Sequence, residues 1–466
     1  MSRELSSTQI IFTEKQIHQI ISKYLGERRA GGWQVIACDR QPASAGLAGF
    51  LGDHSRVTLH VKSDGLVKKI RLFVKTMPAS NAPKAQFIDT NCYFKREAVA
   101  LRLAEEMRGA EGPTPWTVRA YLCNERMVVM PDMAAQGYRT LHYCETLSLP
   151  HALLAAAALA RFHAAFANYT AARTARDQSP YNFLQEYGNI MTEPTFCDSR
   201  PVLKAIAFKA PEDVCAELDS CPRRAGATSL NCKHSLFHSI HSRNSRTQAH
   251  TCRTNTFSNK FKQYPPNLEQ RLAQRYLEAC NTLAEHEGTL NVMLHKDMWV
   301  NNIMYKYEGD MPTNALLIDF QCLRYGPPAF DLMVFLYLTT EREFRERHEG
   351  EIIRHYFTVF SENLDEKTKL GLKVLKYDME ELVRWCEKSR MFGMFMALGI
   401  FPYVLMEPLA AQQTFDEAAT FLRYCNEDRS GPVLAHCRRD PDYLRRQLHL
   451  TEEFVERYLI QNTKTL

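Results

Sequence analysis

Two short stretches of this chain carry the residue types that phosphoryl transfer requires: LHKDMWVNNIMY, 294–305, and ALLIDFQ, 315–321, whose aspartates Asp297 and Asp319 stand 22 residues apart. Transfer of a phosphoryl group to a hydroxyl needs a carboxylate beside the attacking oxygen, because a proton must be received as the bond to phosphorus forms. It also needs oxygen ligands that hold Mg²⁺ against the nucleotide phosphates. Asp297 and Asn302, separated by four residues across a loop, suit the base and one metal ligand. Asp319 ends the apolar run Leu316 to Ile318, where a strand end projects a carboxylate into a cleft, and it suits the second metal position. The combined pattern H-x-D-x-x-x-x-N, then I-D-F about twenty residues on, is far more specific than any of its parts.

The elements that must position these groups are legible around them. Residues up to Leu25 alternate at helical spacing, with Ile10, Ile11, Ile17, Ile20, Ile21 and Leu25 on one stripe, and the glycine-rich text from Gly26 ends the helix. Trp33 to Ala37, Ser55 to Val61 and Lys69 to Lys75 read as strands of a small antiparallel sheet; Phe94 to Arg108 reads as a helix, and Trp116 to Met130 as two further strands. Residues 1–130 are therefore expected to form one sheet-and-helix lobe. From 131 to 466 the text is mainly helical, with clear patterns over Pro150 to Tyr169 and Asn267 to Glu287. The overall class is α+β.

The motif text resembles a known family. His295 to Asn302 with Asp319-Phe-Gln321 is similar to the catalytic-loop and metal motifs of the choline-kinase and aminoglycoside-phosphotransferase group, and the wording D-x-W-V-N-N-I-M, DFQ and RYGPPAFDL narrows it to the ecdysteroid-kinase-like family. The resemblance implies a bilobed protein-kinase-like fold with ATP and Mg²⁺ as cofactors. It also implies a lid, a strand lysine and a helix glutamate upstream, and all three are present in order. Gly46-Leu-Ala-Gly49-Phe-Leu-Gly52-Asp53-His54 is similar to the family's lid over the triphosphate, Lys75 to the lysine on the phosphates, and Glu97 to the glutamate that orients it. An ion pair between Lys75 and Glu97 would keep the ammonium aimed at the nucleotide.

Met127 to Met133, followed by Gly137-Tyr138, resembles the link between lobes whose backbone reads the adenine edge; Val129 and Met133 are the expected positions. The chain departs from the family there, since Pro131 replaces the usual Glu and has no N–H to offer a base. A second departure is Lys296, where the wider group commonly carries Gly, and the expectation is a lysine facing solvent. Asp331 matches a position that bonds backbone amides of the catalytic loop. His295, in the catalytic motif, is expected as a packed support, because Asp297 already meets the need for a base. Trp299 is expected to pack beneath the loop, and His151 and His163 to be ordinary core or surface histidines.

Composition sets the remaining bounds. Hydrophobic residues at 45% and charged residues at 24% fit a globular chain and exclude collagen, coiled-coil and low-complexity scaffolds. The formal charge of +5 comes from one segment: 221–262 carries five Arg, three Lys and no acid, and without that +8 the rest stands at −3. No nucleic-acid partner is therefore expected. Fourteen scattered cysteines and the absence of a signal-peptide pattern predict reduced thiols in the cytoplasm. The longest apolar stretch, Met391 to Met406, is too short for a membrane span and is broken at Pro402, so a buried helix is expected. The text at 210–266 is poor in large apolar residues and predicts a disordered insertion. Its Cys232, His234, His238, His241, His250 and Cys252 fit no standard zinc finger; a solvated basic linker, a peculiarity of this gene, a structural zinc site and a tail touching RNA or acidic lipid all stand as readings.

The expected activity is transfer of phosphate to a hydroxyl of a small molecule, an ecdysteroid or another hydrophobic alcohol or glycoside. Trp385, Met391, Phe392, Met394, Phe395, Met396, Phe401 and Tyr403 are the candidate pocket lining, with plain core as the alternative for most of them. The reading from a different class is a catalytically inactive kinase-like binding protein, for which Pro131, Lys296 and the insertion would speak. Retention of both metal-ligand positions speaks against it. Oligomeric state leaves no sign in the sequence.

Overall fold

Alternation along one strand decides which way the key lysine points. In β3 (Leu66–Thr76) the residues Ile70, Leu72 and Val74 are buried on one face, so Phe73 and Lys75 turn to the other. The computed structural model describes residues 11–26, 32–43, 49–63, 65–192, 268–426 and 429–460. The expected insertion at 210–266 and Gly46 of the lid lie outside the described residues.

β3 is the middle of an antiparallel five-stranded sheet with β1 (Trp33–Pro42), β2 (Asp53–Ser63), β4 (Leu122–Cys123) and β5 (Met127–Pro131), in the order β1-β2-β3-β5-β4. Its register sets His54 opposite Lys75 on one side and Val128 on the other. One face is covered by α1 (Glu14–Leu25), which starts on a reciprocal cap between Thr13 and Gln16 and buries Ile17, Ile20 and Ile21 against Val57, Leu59, Leu72, Val74 and Val129. Gly26 ends α1 at φ 80°. The other face receives α3 (Tyr93–Glu106), whose Phe94 and Glu97 are both buried. Between β3 and α3 in the chain lies α2 (Ala82–Thr90), for which the sequence reading assigned no element. Asn81 caps it by accepting from the Lys84 N–H at 3.0 Å, and the proline falls in the first turn, where no N–H is needed.

Two short sheets frame the acid-bearing loops. β6 (Tyr138–Arg139), β8 (Ile303–Glu308) and β9 (Met311–Leu317) form one, and β7 (Val292–Leu294) pairs with β10 (Arg324–Gly326) in the other. The catalytic text lies between β7 and β8, and the second acid between β9 and β10. The β8–β9 hairpin returns the chain so that Ile303 faces Leu317 and the Ile318 N–H donates to the Asn302 carbonyl at 3.1 Å. The 22-residue interval between the aspartates is thus the length of a loop plus one hairpin.

The larger, helical part is built on α4 (Leu149–Asp177) and α7 (Ala329–Thr339). In chain order it also contains α5 (Phe183–Tyr187), α6 (Leu268–Thr282), α8 (Arg342–Glu362), α9 (Glu366–Leu375), α10 (Met379–Val404), α11 (Pro408–Phe415), α12 (Ala418–Asn426), α13 (Ser430–Arg439) and α14 (Pro441–Val455). Every residue of α7 is buried, so it is a core helix on all sides. By length and composition α4 alone among single described helices could cross a membrane, but most of its apolar window is packed inside the protein. The apolar stretch at 391–406 forms the end of α10, which runs two residues past Pro402 because a proline this near the C-terminus forfeits a single helical bond. No disulfide joins the nine described cysteines.

α10 crosses α7 at Gly393, where a Cβ would stand 2.8 Å from the backbone of Met333. Gly393→Ala is therefore expected to cost about 1–3 kcal/mol, the range for overpacking a core, measured by denaturant unfolding. An unchanged midpoint would show that the two helices separate freely.

Candidate active site

The centre of the site is a single buried ammonium. Lys75, 3% exposed, donates from Nζ to Glu97 Oε2 at 2.8 Å, to Asp319 Oδ1 at 2.8 Å and to Gln321 Oε1 at 3.1 Å, and the Phe94 ring lies 5.6 Å away. Burial alone would pull the lysine down, but the carboxylates of Asp319 and Glu97 outweigh it and hold the ammonium above the ordinary lysine range. Burial pushes Glu97 up to about 7, with Lys75 opposing and Asp319 adding to the rise. Two carboxyl groups thus share one cation.

The lid lies directly over the lysine. A Cβ on Gly49 would sit 2.6 Å from the His54 ring and force it to move, and one on Gly52 would sit 3.0 Å from Lys75 Cγ and crowd it. Burial and the Lys75 charge push His54 down to about 3, leaving a neutral imidazole beside the ammonium. Asp53 opens β2 with its side chain exposed. Phe50, at the tip of the described lid, reaches the helical part and packs on Trp299, Tyr403 and Phe415 at centroid distances of 6.0, 5.4 and 5.2 Å.

Across the cleft, Asn302 donates from Nδ2 to the Asp297 carbonyl at 2.8 Å and to Asp297 Oδ2 at 3.0 Å, which leaves the Asn302 amide oxygen for another partner. Burial, then the nearby Asp319 carboxylate, pushes Asp297 up to about 7 against the pull of Lys296, Asn302 and Lys75. His295 is fully buried, and burial holds it below the ordinary histidine range. Its Nδ1 accepts from the Asp297 N–H at 3.3 Å, so Nε2 carries the hydrogen and donates to the Ile318 carbonyl at 2.9 Å. This imidazole ties the two acid loops together.

Asp331 fixes the catalytic loop from behind. Its two oxygens accept from the backbone N–H groups of His295 at 2.6 Å and Lys296 at 2.7 Å, and Oδ2 also meets His163 Nε2 at 3.2 Å. His163 Nδ1 in turn contacts the Tyr356 hydroxyl at 2.7 Å. His163 and Tyr356 are supports that the sequence did not disclose, because their partners lie 168 and 193 residues from His163 along the chain. Gln321 was likewise missed as a ligand of the lysine.

Lys296 departs from expectation. It is 2% exposed instead of facing solvent. Its backbone lies at φ 64°, the left-handed region that favours glycine, and holding both its N–H and that of His295 on Asp331 turns the side chain into the protein. Asp319 shares this conformation at φ 66°. At the link between the parts, the Val129 carbonyl already accepts from the Tyr121 N–H at 2.8 Å, within a strand paired on both sides. The Met133 N–H opens a one-turn 3-10 helix, where the helix's own pattern supplies no acceptor.

Beside Asp297 lies a cavity of about 130 Å³, roofed by Phe50 and lined by Lys296, Asp297, Trp299, Tyr403, Tyr424 and Arg429 among others. Of the eight candidate lining residues only Met396 and Tyr403 reach it. The rest are core or packing: Trp385 lies on His286, Phe392 on Phe330, and Phe395 between Tyr276 and Phe454.

A strand lysine held by a helix glutamate, faced by an acid after one hairpin strand and an Asp/Asn pair before the other, on an antiparallel sheet joined to a helical lobe, defines a kinase-like phosphotransferase. The chain belongs to the ecdysteroid kinase-like family, whose model matches residues 47–250 and 223–368. Among solved structures it is similar to a Ralstonia eutropha protein assigned by name to the aminoglycoside phosphotransferases (10% identity, 93% of this chain and 98% of that one, TM-score 0.32). It is also similar to a choline/ethanolamine kinase family protein of Mesorhizobium loti (14%, 75% and 96%, TM-score 0.27) and a microcompartment-associated aminopropanol kinase (10%, 86% and 99%, TM-score 0.26). Scores this low add nothing to the assignment, which rests on the family match and the site. No curated protein matches significantly.

Asp331→Asn keeps the shape but points an amide N–H₂ at a backbone N–H. The expected loss is about 3 kcal/mol or more, as for a broken buried network, read by denaturant unfolding. Wild-type stability in this variant would show that the loop is held elsewhere.

Proposed function

We propose that the chain is an ATP- and Mg²⁺-dependent O-kinase acting on a hydroxyl of a small molecule, an ecdysteroid, as the family name suggests, or another hydrophobic alcohol or glycoside. The observation that carries this reading is the shared ammonium of Lys75. A cation clamped by Glu97 and also held by Asp319 is placed to exchange the second carboxylate for phosphate oxygens. Asp319 and the Asn302 oxygen are then the metal ligands. Among the described residues no group of three or more His, Cys, Asp or Glu could hold a metal by itself. That suits Mg²⁺, which binds through one or two protein oxygens together with substrate phosphates. Bound there, the ion would neutralise charge on the transferring phosphoryl group.

The remaining roles follow from geometry. Asp297 receives the proton of the acceptor hydroxyl as its oxygen bonds the γ-phosphorus and the bond to the β-phosphate oxygen breaks, releasing ADP. A carboxyl raised to about 7 is a better proton acceptor than an ordinary aspartate, half ionised near neutral pH and ionised above it. Gly49, Gly52 and Asp53 belong to the lid over the phosphates. The Met133 N–H is the backbone donor for the base, a role Pro131 cannot take.

Cavity size bears on the acceptor. About 130 Å³ compares with the roughly 150 Å³ that admits benzene and falls below the about 300 Å³ typical of sites for larger ligands. A steroid-sized acceptor requires Phe50 to withdraw.

The test is transfer of labelled γ-phosphate from ATP with Mg²⁺ to a panel of ecdysteroids, glycosides and aromatic alcohols. Asp297→Asn is expected to keep nucleotide affinity and to lose about a hundredfold or more in kcat; unchanged turnover would remove the base assignment. In the wild type, kcat/KM for ATP reports the free enzyme's groups. It should be half-maximal near pH 7, where Asp297 is half protonated, rise toward its full value above it and fall below it; a flat profile from pH 5 to 8 (about one unit or more on each side) would contradict the raised carboxyl. Phe50→Ala is expected to raise kcat/KM for steroid-sized acceptors relative to single-ring ones by about tenfold, and an unchanged ratio would show that Phe50 is no gate.

A further inference from the structure

A second lysine is buried near the lid, and its charge is met far less well than that of Lys75. Lys84 is 2% exposed, and among the described residues its ammonium has one partner, the Asp416 carboxylate, 3.5 Å from Nζ and itself about half exposed. Lys75, by contrast, is held at 2.8 Å by two carboxyl groups and at 3.1 Å by Gln321. Asp416 does not offset the burial of Lys84: burial is the larger effect and pulls the ammonium below the ordinary lysine range against it. An ammonium has three donors to place, and one long contact to a half-solvated carboxylate leaves capacity for a further anion.

The position of Lys84 indicates which anion. It stands in the first turn of α2, and Phe87, three residues on and on the same side of the helix, forms part of the wall of the cavity beside Asp297. The charge of Lys84 acts on Asp53 and His54 of the lid, and also on Cys425 of α12, another residue of the cavity wall. His54 lies opposite Lys75 in the sheet and feels both lysines. Lys84 is thus placed between the lid over the phosphates and the cavity beside Asp297, where a phosphoryl group would pass from one to the other. Joining α2 to α11 and α12 does not require a buried cation. The Asn81 side chain already donates to the Asp416 carbonyl at 3.1 Å, and Phe87 packs on Phe421 at 5.6 Å.

We propose that Lys84 binds the γ-phosphate of ATP, with Lys75 on the phosphates before it and Asp416 as the counter-ion that Lys84 leaves when the nucleotide arrives. This rests on the reading of the chain as an ATP-dependent kinase. A lysine suits the role because its ammonium is a point charge whose donors turn freely, so it can follow a phosphoryl group that moves from one oxygen to another.

The experiment is calorimetric titration of the full chain, with Mg²⁺ present, with ADP and with a non-hydrolysable ATP analogue. The wild type is expected to bind the analogue more tightly than ADP. Lys84→Met should remove about tenfold or more of that preference while ADP affinity holds, and Lys84→Arg should restore part of it. A merely structural lysine would weaken both nucleotides alike. That result, an unchanged preference in Lys84→Met, or no preference in the wild type overturns the proposal. Should Lys84→Met fail to fold, the wild type is labelled with an ATP acyl phosphate, which acylates lysines beside its terminal phosphate. Acylation of Lys84, blocked by ATP, is expected, and a labelling pattern without Lys84 overturns the proposal. Wild-type binding of both nucleotides with no effect of Lys84 on the preference rejects the γ-phosphate role alone, whereas binding of neither nucleotide rejects the kinase reading with it.

Discussion

One buried ammonium constrains most of this molecule. Lys75 is removed from water, and a lone cation so placed would lose its proton or unfold its surroundings. It is kept charged because three elements converge on it: β3 supplies it, α3 supplies Glu97, and the loop after β9 supplies Asp319 and Gln321. Each of those placements has its own requirement. The strand must alternate so that Val74 faces α1 and Lys75 faces the cleft, α3 must lie on that cleft face, and the helical part must dock closely enough for a residue 244 positions away to reach Nζ. Contacts of this kind contribute little net stability but are costly to break singly, by about 3–5 kcal/mol. The cluster therefore specifies geometry more than it adds stability.

The opposite wall of the cleft is set by a different device. Asp297 and Asp319 would repel if both were held rigidly and ionised, and the raised pKa of Asp297 records part of that cost. The loops bearing them are locked by groups that do not compete for the same charge: neutral His295 bridges them, the β8–β9 hairpin sets their spacing, and Asp331 takes the two backbone amides from beneath. Two residues in left-handed conformation, Lys296 and Asp319, mark where the backbone is forced to present its side chains inward. Phe50 links the two walls, since the lid that covers Lys75 also roofs the cavity beside Asp297.

How much of this could be read in advance follows from how local each signal is. The strands, the helices α1, α3 and α4, and the order of lid, lysine, glutamate and two aspartates are written in short windows, where period and motif suffice. α2 was missed because it is short and its start shows only once Asn81 is seen as a cap on a first turn that holds Pro83. Lys296 was expected in solvent because most lysines are; its burial depends on Asp331, 35 residues on, fixing its backbone. The cavity lining was mostly misplaced because an apolar helix gives no sign of which stripe faces core and which faces a void. Phe50, Phe415, Tyr424 and Arg429 come together only in three dimensions. His163 stands behind the site for the same reason.

The central claim is that the Lys75–Asp319 contact is exchanged for nucleotide phosphate when ATP and Mg²⁺ bind. A crystal structure with Mg²⁺ and a non-hydrolysable ATP analogue tests it most directly. The account predicts phosphate oxygens on Lys75 Nζ, Glu97 still paired with that nitrogen, and Asp319 turned with the Asn302 oxygen to the metal. An analogue bound elsewhere, or one in the cleft with the Lys75–Asp319 pair intact and no metal on Asp319, would contradict it.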